Sequence, residues 1–182
     1  MKRRSTAEPI VLVLGGARSG KSAYAESRAL ALRKPRKRAL YLATAEAGDA
    51  EMSARIATHR ARRGEAWTTI EEPLDLAGAI ASHAAPGAPI LVDCLTLWLS
   101  NLMHARADID AATAALCATL ARAKGPVVLV SNEVGLGIVP DNKLAREFRD
   151  RAGRLHQRVA EAARDVVFVA AGLPLALKGK TK

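Results

Sequence analysis

With 182 residues, 49% of them apolar, the chain is long enough to bury the core of one domain, and no apolar run approaches the ~18 residues of a membrane span. A net charge of +10 invites nucleic acid, but the basic residues gather at positions 33–38 and at the termini, and aromatics at 3% leave little for base stacking, so no nucleic-acid partner is expected. Cys94 and Cys117 are too few for a disulfide framework or a zinc site, and the basic start at Met1 runs into polar residues instead of an apolar signal, so the cytoplasm is the expected location.

Residues 1–8 read as a disordered basic tail and 9–182 as a single domain. Residues 10–14, apolar and rich in β-branched side chains, predict a buried strand, and residues 23–30 a helix. A second strand follows at 39–44 and a loop at 45–50. Residues 51–63 have helical character, with Met52 and Ile56 four apart, and Gly64 stops the helix. A short strand at 67–70 precedes a helix at 74–83. Residues 90–94 form a buried strand that carries Asp93 at its end; residues 95–104 and 108–124 are helical. A strand at 127–131, a long helix at 141–164, a strand at 166–170 and a short edge strand at 174–178 complete the pattern. Apolar strands alternating with helices specify an α/β fold with a mostly parallel central sheet flanked by helices.

The first strand and helix bracket Gly15, Gly16, Ala17, Arg18, Ser19, Gly20, Lys21 and Ser22, the G-x-x-x-x-G-K-S phosphate-binding loop. Its glycines let backbone N–H groups turn toward phosphate oxygens. The helix start adds a positive dipole end, Lys21 a charge for the β- and γ-phosphates, and Ser22 a hydroxyl for Mg²⁺. Asp93 is a second candidate for Mg²⁺, with a helix cap as its plainer role. Residues 132–140, with Gly135 and Gly137, follow a strand end, where open α/β sheets bind ligands; an ordinary loop capped by Asp141 is the alternative. On the helix from Glu51, His59 shares a face with Arg55, Arg62 and Arg63. That face is either a solvated basic surface or an anion site, in which neighbouring cations keep the imidazole neutral and nucleophilic. His83, His104 and His156 have no such setting and read as surface or partly buried.

These segments together (the phosphate loop, residues 41–44, the R-I-x-x-H-R run from Arg55 to Arg60, Trp67 and Glu71, residues 93–102, the N-E-V-G-x-G-I-V-P run from Asn132 to Pro140, and residues 144–158) resemble the bifunctional adenosylcobinamide kinase / adenosylcobinamide-phosphate guanylyltransferases of cobalamin biosynthesis. The resemblance runs from about residue 10 to residue 178. It implies a RecA-like P-loop NTPase fold and two reactions. ATP or GTP phosphorylates the hydroxyl of adenosylcobinamide. GTP then guanylylates a histidine, from which GMP passes to adenosylcobinamide phosphate. The resemblance implies His59 as that histidine. Some relatives carry two adjacent histidines, whereas Thr58 precedes it here. It also implies nucleotide contacts at Ala43, Thr44, Ala45, Arg60, Ala61, Arg62, Arg63, Glu71 and Asp93, and an assembly of several chains, a trimer. Asp93 stands where relatives can carry glutamate, one methylene longer. A P-loop kinase or ATPase of another pathway is the alternative; it would need neither His59 nor the 132–140 loop.

Overall fold

The computed structural model describes residues 8–45 and 66–181. Residues 1–7 of the expected tail, the expected helix over 51–63 and His59 itself lie outside them. The chain order is β1 (Ile10–Gly15), α1 (Lys21–Leu32), β2 (Ala39–Ala43), β3 (Trp67–Glu71), α2 (Leu76–His83), β4 (Ile90–Asp93), α3 (Leu95–His104), α4 (Ile109–Ala121), β5 (Val127–Asn132), α5 (Lys143–Ala162), β6 (Asp165–Ala170) and β7 (Leu173–Lys178).

The seven strands form one sheet in the order β3-β2-β4-β5-β1-β6-β7. Every pairing is parallel except β6 with β7, so the expected edge strand is antiparallel. Covering both faces requires strands that are apolar throughout, and β1 is buried at all six positions. Leu12, Leu42, Leu129 and Val92 face α2, α3, α4 and α5. Val11, Val13, Val128 and Val130 face Ala25 and Ala29 of α1. Small residues on that stripe of α1 let it lie close to the sheet.

The parallel register places the carboxyl ends of β1, β2, β3, β4 and β5 along one edge. Gly15 pairs with Asn132, Asp93 with Ala43, and Ala43 with Glu71. The candidate residues from five separate sequence segments therefore share one rim.

Two helix starts bear on the residues singled out in the sequence. The long helix starts at Lys143, and its cap is Asn142, whose side chain accepts the Ala145 N–H; Asp141 is not the cap. The helix after Asp93 is preceded by Cys94 with no side-chain cap, so the carboxylate of Asp93 does not serve that purpose.

Candidate active site

The phosphate loop is built by close approach. A Cβ on Gly15 would lie 2.5 Å from Ser19 Oγ and 2.6 Å from the Val169 carbonyl oxygen, so no side chain fits there. Gly20 has φ of 92°, and a Cβ on it would lie 3.1 Å from Gly172 Cα. Gly16 has open space around it and no such restriction. The β6–β7 turn backs the loop: Gly172 N–H donates to Ser19 O at 2.8 Å. Ala17 and Arg18 form the exposed tip, and Arg18 takes a left-handed φ of 56°. Lys21 is buried at the first position of α1, and its Nζ donates to Gly16 O at 3.1 Å. Ser22 follows on the same turn, half-buried.

Two strands away, Asp93 is half-buried at the end of β4, and its Oδ2 accepts the hydroxyl of Tyr41 from β2. The Tyr41 ring is itself fixed, edge-on to Trp67 with centroids 5.9 Å apart. Thr44 is fully buried and clamps the turn after Asp93. Its hydroxyl donates to Cys94 O and accepts Cys94 N–H, both at 2.8 Å. Its N–H donates to Asp93 O at 3.1 Å, and its carbonyl accepts Asn101 Nδ2 of α3 at 2.7 Å. The Thr44 polar groups are thus engaged inside the protein. Burial pushes the Cys94 thiol up, and the Asp93 charge adds to it, so it stays a neutral thiol. Ala43 is buried, Ala45 half-buried and Glu71 exposed at the rim.

Between Asp93 and the phosphate loop, just past the end of β5, Glu133 N–H donates to Gly15 O at 3.1 Å, which ties the 132–140 loop to the phosphate loop. The Glu133 carboxylate accepts Gly135 N–H and stands 3.9 Å from His156 Nδ1. His156, expected at the surface or partly buried, is buried: Nε2 lies 2.7 Å from Ser131 Oγ. Burial holds its pKa below the ordinary value, and Glu133 only partly opposes this. Asn132 Nδ2 donates to Thr96 Oγ1 at 2.9 Å. Tyr41, Asn101 and Thr96 went unread in the sequence, because nothing in their local pattern shows which strand end they meet. His59, Arg60, Ala61, Arg62 and Arg63 lie outside the described residues.

No ordinary protein cage for a metal is formed: among the described residues no three His, Cys, Asp or Glu side chains gather to hold one. The carboxylate of Asp93 and the hydroxyl of Ser22 are hard oxygen donors of the type Mg²⁺ uses when phosphates and water complete its shell.

Residues 11–177 match the model of the cobinamide kinase / cobinamide phosphate guanyltransferase family. The chain belongs to that family. The bifunctional adenosylcobalamin biosynthesis protein CobP of Pseudomonas aeruginosa is 50% identical over 171 residues, 93% of this chain and 97% of that one. The bifunctional adenosylcobalamin biosynthesis proteins CobU of Escherichia coli and Salmonella typhimurium are 40% and 41% identical over 184 residues, covering 93% of this chain and 99% of each. Among solved structures, an ATPase domain aligns with a TM-score of 0.50 at 15% identity, over 88% of this chain and 69% of that one. A Pyrococcus horikoshii OT3 protein aligns at 0.52 and 10%, over 94% and 86%. The architecture is that of P-loop NTPases, as the resemblance to the family implied.

Proposed function

We infer that this chain is a bifunctional enzyme of cobalamin biosynthesis, a cobinamide kinase and cobinamide phosphate guanylyltransferase. The observation that carries the reading is a complete phosphate loop held on the same rim as Asp93 and the 132–140 loop, in a chain that matches the family model over residues 11–177. A P-loop kinase of another pathway is disfavoured by relatives of 40–50% identity over nearly their full length.

In the first reaction, the hydroxyl oxygen of adenosylcobinamide attacks the γ-phosphorus of ATP or GTP, and the bond to the β-phosphate oxygen breaks. Backbone N–H groups of residues 15–22 bind the phosphates, and Lys21 offsets charge on the transferred group. Ser22 and Asp93 would hold Mg²⁺, which supplies charge neutralisation across the phosphates. Tyr41 and Thr44 orient Asp93. In the second reaction, neutral His59 attacks the α-phosphorus of GTP and pyrophosphate departs. The phosphate of adenosylcobinamide phosphate then displaces the imidazole, giving adenosylcobinamide-GDP. Arg60, Arg62 and Arg63 would hold the triphosphate, with Ala43, Ala45, Glu71 and Asp93 lining the nucleotide. A trimer in the cytoplasm is the assembly and location this reading carries. No described helix is long and apolar enough to cross a membrane.

The test is covalent labelling. GTP labelled at the α-phosphate should leave acid-labile radioactivity on the protein, and GTP labelled at the γ-phosphate should not. His59→Asn should lose the label and the guanylyl transfer, yet keep kinase activity, because Lys21 and Asp93 remain. Stable α-label on the His59→Asn protein would place the nucleophile elsewhere.

A further inference from the structure

An open groove of about 740 Å³ lies between the carboxyl-terminal half of α3 and the first turns of α5. No residue of the phosphate loop lines it, so it is not where the triphosphate sits. Its walls are nevertheless anchored on the rim. Asn101, between the lining residues Ser100 and Met103, donates to the carbonyls that follow β2 and β3, Thr44 O at 2.7 Å and Pro73 O at 3.2 Å. Val134 lines the groove directly after Glu133, whose N–H is bonded to Gly15 of the phosphate loop. The groove lining and the joint at the loop are thus consecutive residues.

The lining has a defined chemistry. Met103, Ile109, Val134, Leu144 and Phe148 give an apolar floor. The arginines of the α5 wall are already paired: Arg149 with Asp150 at 3.0 Å and Arg151 with Glu147 at 2.8 Å. Such a wall offers hydrogen bonds with little net charge, which suits an amphipathic, largely uncharged ligand better than a polyanion. Beside the groove, Leu136, Ile138 and Val139 of the 132–140 loop are exposed at 81%, 97% and 58%. Apolar side chains presented to solvent beside an apolar groove mark a site to be covered.

We propose that this groove is the corrinoid site: it holds the macrocycle and amide arms of the substrate, whose hydroxyl reaches the phosphate loop past Glu133. The inference rests on the cobinamide kinase reading, which names a second substrate that the phosphate loop cannot hold. A corrinoid has the matching chemistry, an apolar-edged ring with neutral amide arms.

Equilibrium dialysis of the whole protein with adenosylcobinamide, without nucleotide, tests this independently of catalysis. Leu144→Glu puts a charge on the apolar wall, and Ala107→Trp fills the groove; both positions are exposed, so folding is spared. Each should weaken corrinoid binding by about tenfold or more, as built-in clashes and unpaired charges do. The mass of the assembly by light scattering should not change, and GTP self-labelling should persist. Binding within twofold of wild type in both variants overturns the proposal. So does a change in assembly mass alongside the weakened binding, which would make the groove a contact between copies. Wild-type protein that binds no corrinoid would instead overturn the functional reading itself.

Discussion

Asp93 shows how much of a site lies in partners that a motif does not name. A carboxylate at a strand end is readable; the Tyr41 hydroxyl that holds its Oδ2 is not, because the two are 52 residues apart in sequence. Outer partners of this kind fix the direction in which an oxygen faces a cation, and their removal typically costs about 10–100-fold in metal affinity or activity. Tyr41→Phe keeps the ring against Trp67 and removes only the donor. It should raise the Mg²⁺ concentration for half-maximal kinase rate by about tenfold and leave the rate at saturating Mg²⁺ close to wild type. Asp93→Asn removes the charge itself and should cost about 10²–10³ in rate, with partial recovery in Mn²⁺. Unchanged metal dependence in both variants would remove Asp93 from the metal site. Lys21 and Ser22 were legible because the loop motif specifies them by spacing. The full burial of His156 was not legible, because helix periodicity does not show that Ser131 of β5 and Glu133 just past that strand meet it.

At the level of elements, the strands were legible and their order was not. A strand buried on both faces is a continuous apolar run, so β1, β2, β4, β5 and β6 stand out locally. That β1 lies between β5 and β6 depends on crossovers that no local pattern records. The β7 strand is marginal in sequence because all six of its residues are exposed and pairing with β6 alone defines it. The junction of β2, β4 and α3 shows what joins elements once their order is set. Thr44 closes it with a hydroxyl that both donates to and accepts from Cys94, and with a carbonyl held by Asn101. Thr44→Val conserves shape but orphans the buried Cys94 N–H, which costs about 1–3 kcal/mol. Urea denaturation should report a loss of that size. The kinase rate should fall as well, since the same turn sets Asp93. A stability loss with full activity would show that the clamp serves folding alone.

The whole molecule carries a charge of +10, so acidification threatens it in two distinct ways. Added protons increase self-repulsion over the surface, a long-range effect that salt screens. Buried groups with shifted pKa values act locally and are screened much less. His156 is held below its ordinary value of 6.5, chiefly by burial. The unfolded chain therefore binds the proton more readily than the folded one, and stability present above about pH 6.5 is lost as pH falls below it. For Asp165, burial raises the pKa, but hydrogen bonds and charge from Arg164, the Lys180 N–H and Arg28 outweigh it. The carboxyl therefore sits below its ordinary 3.8. Its contribution is present above pH 3.8 and is lost as pH falls through the lower folded value. The two groups destabilise in the same direction but in separate windows. Urea midpoints measured from pH 7.5 to 5 should decline in the wild type at both low and high salt. His156→Gln, which keeps a polar side chain opposite Ser131 but cannot titrate, should flatten that decline at high salt. An equally steep decline in the variant at high salt would assign the slope to other groups, and a decline abolished by salt in the wild type would assign it to surface repulsion.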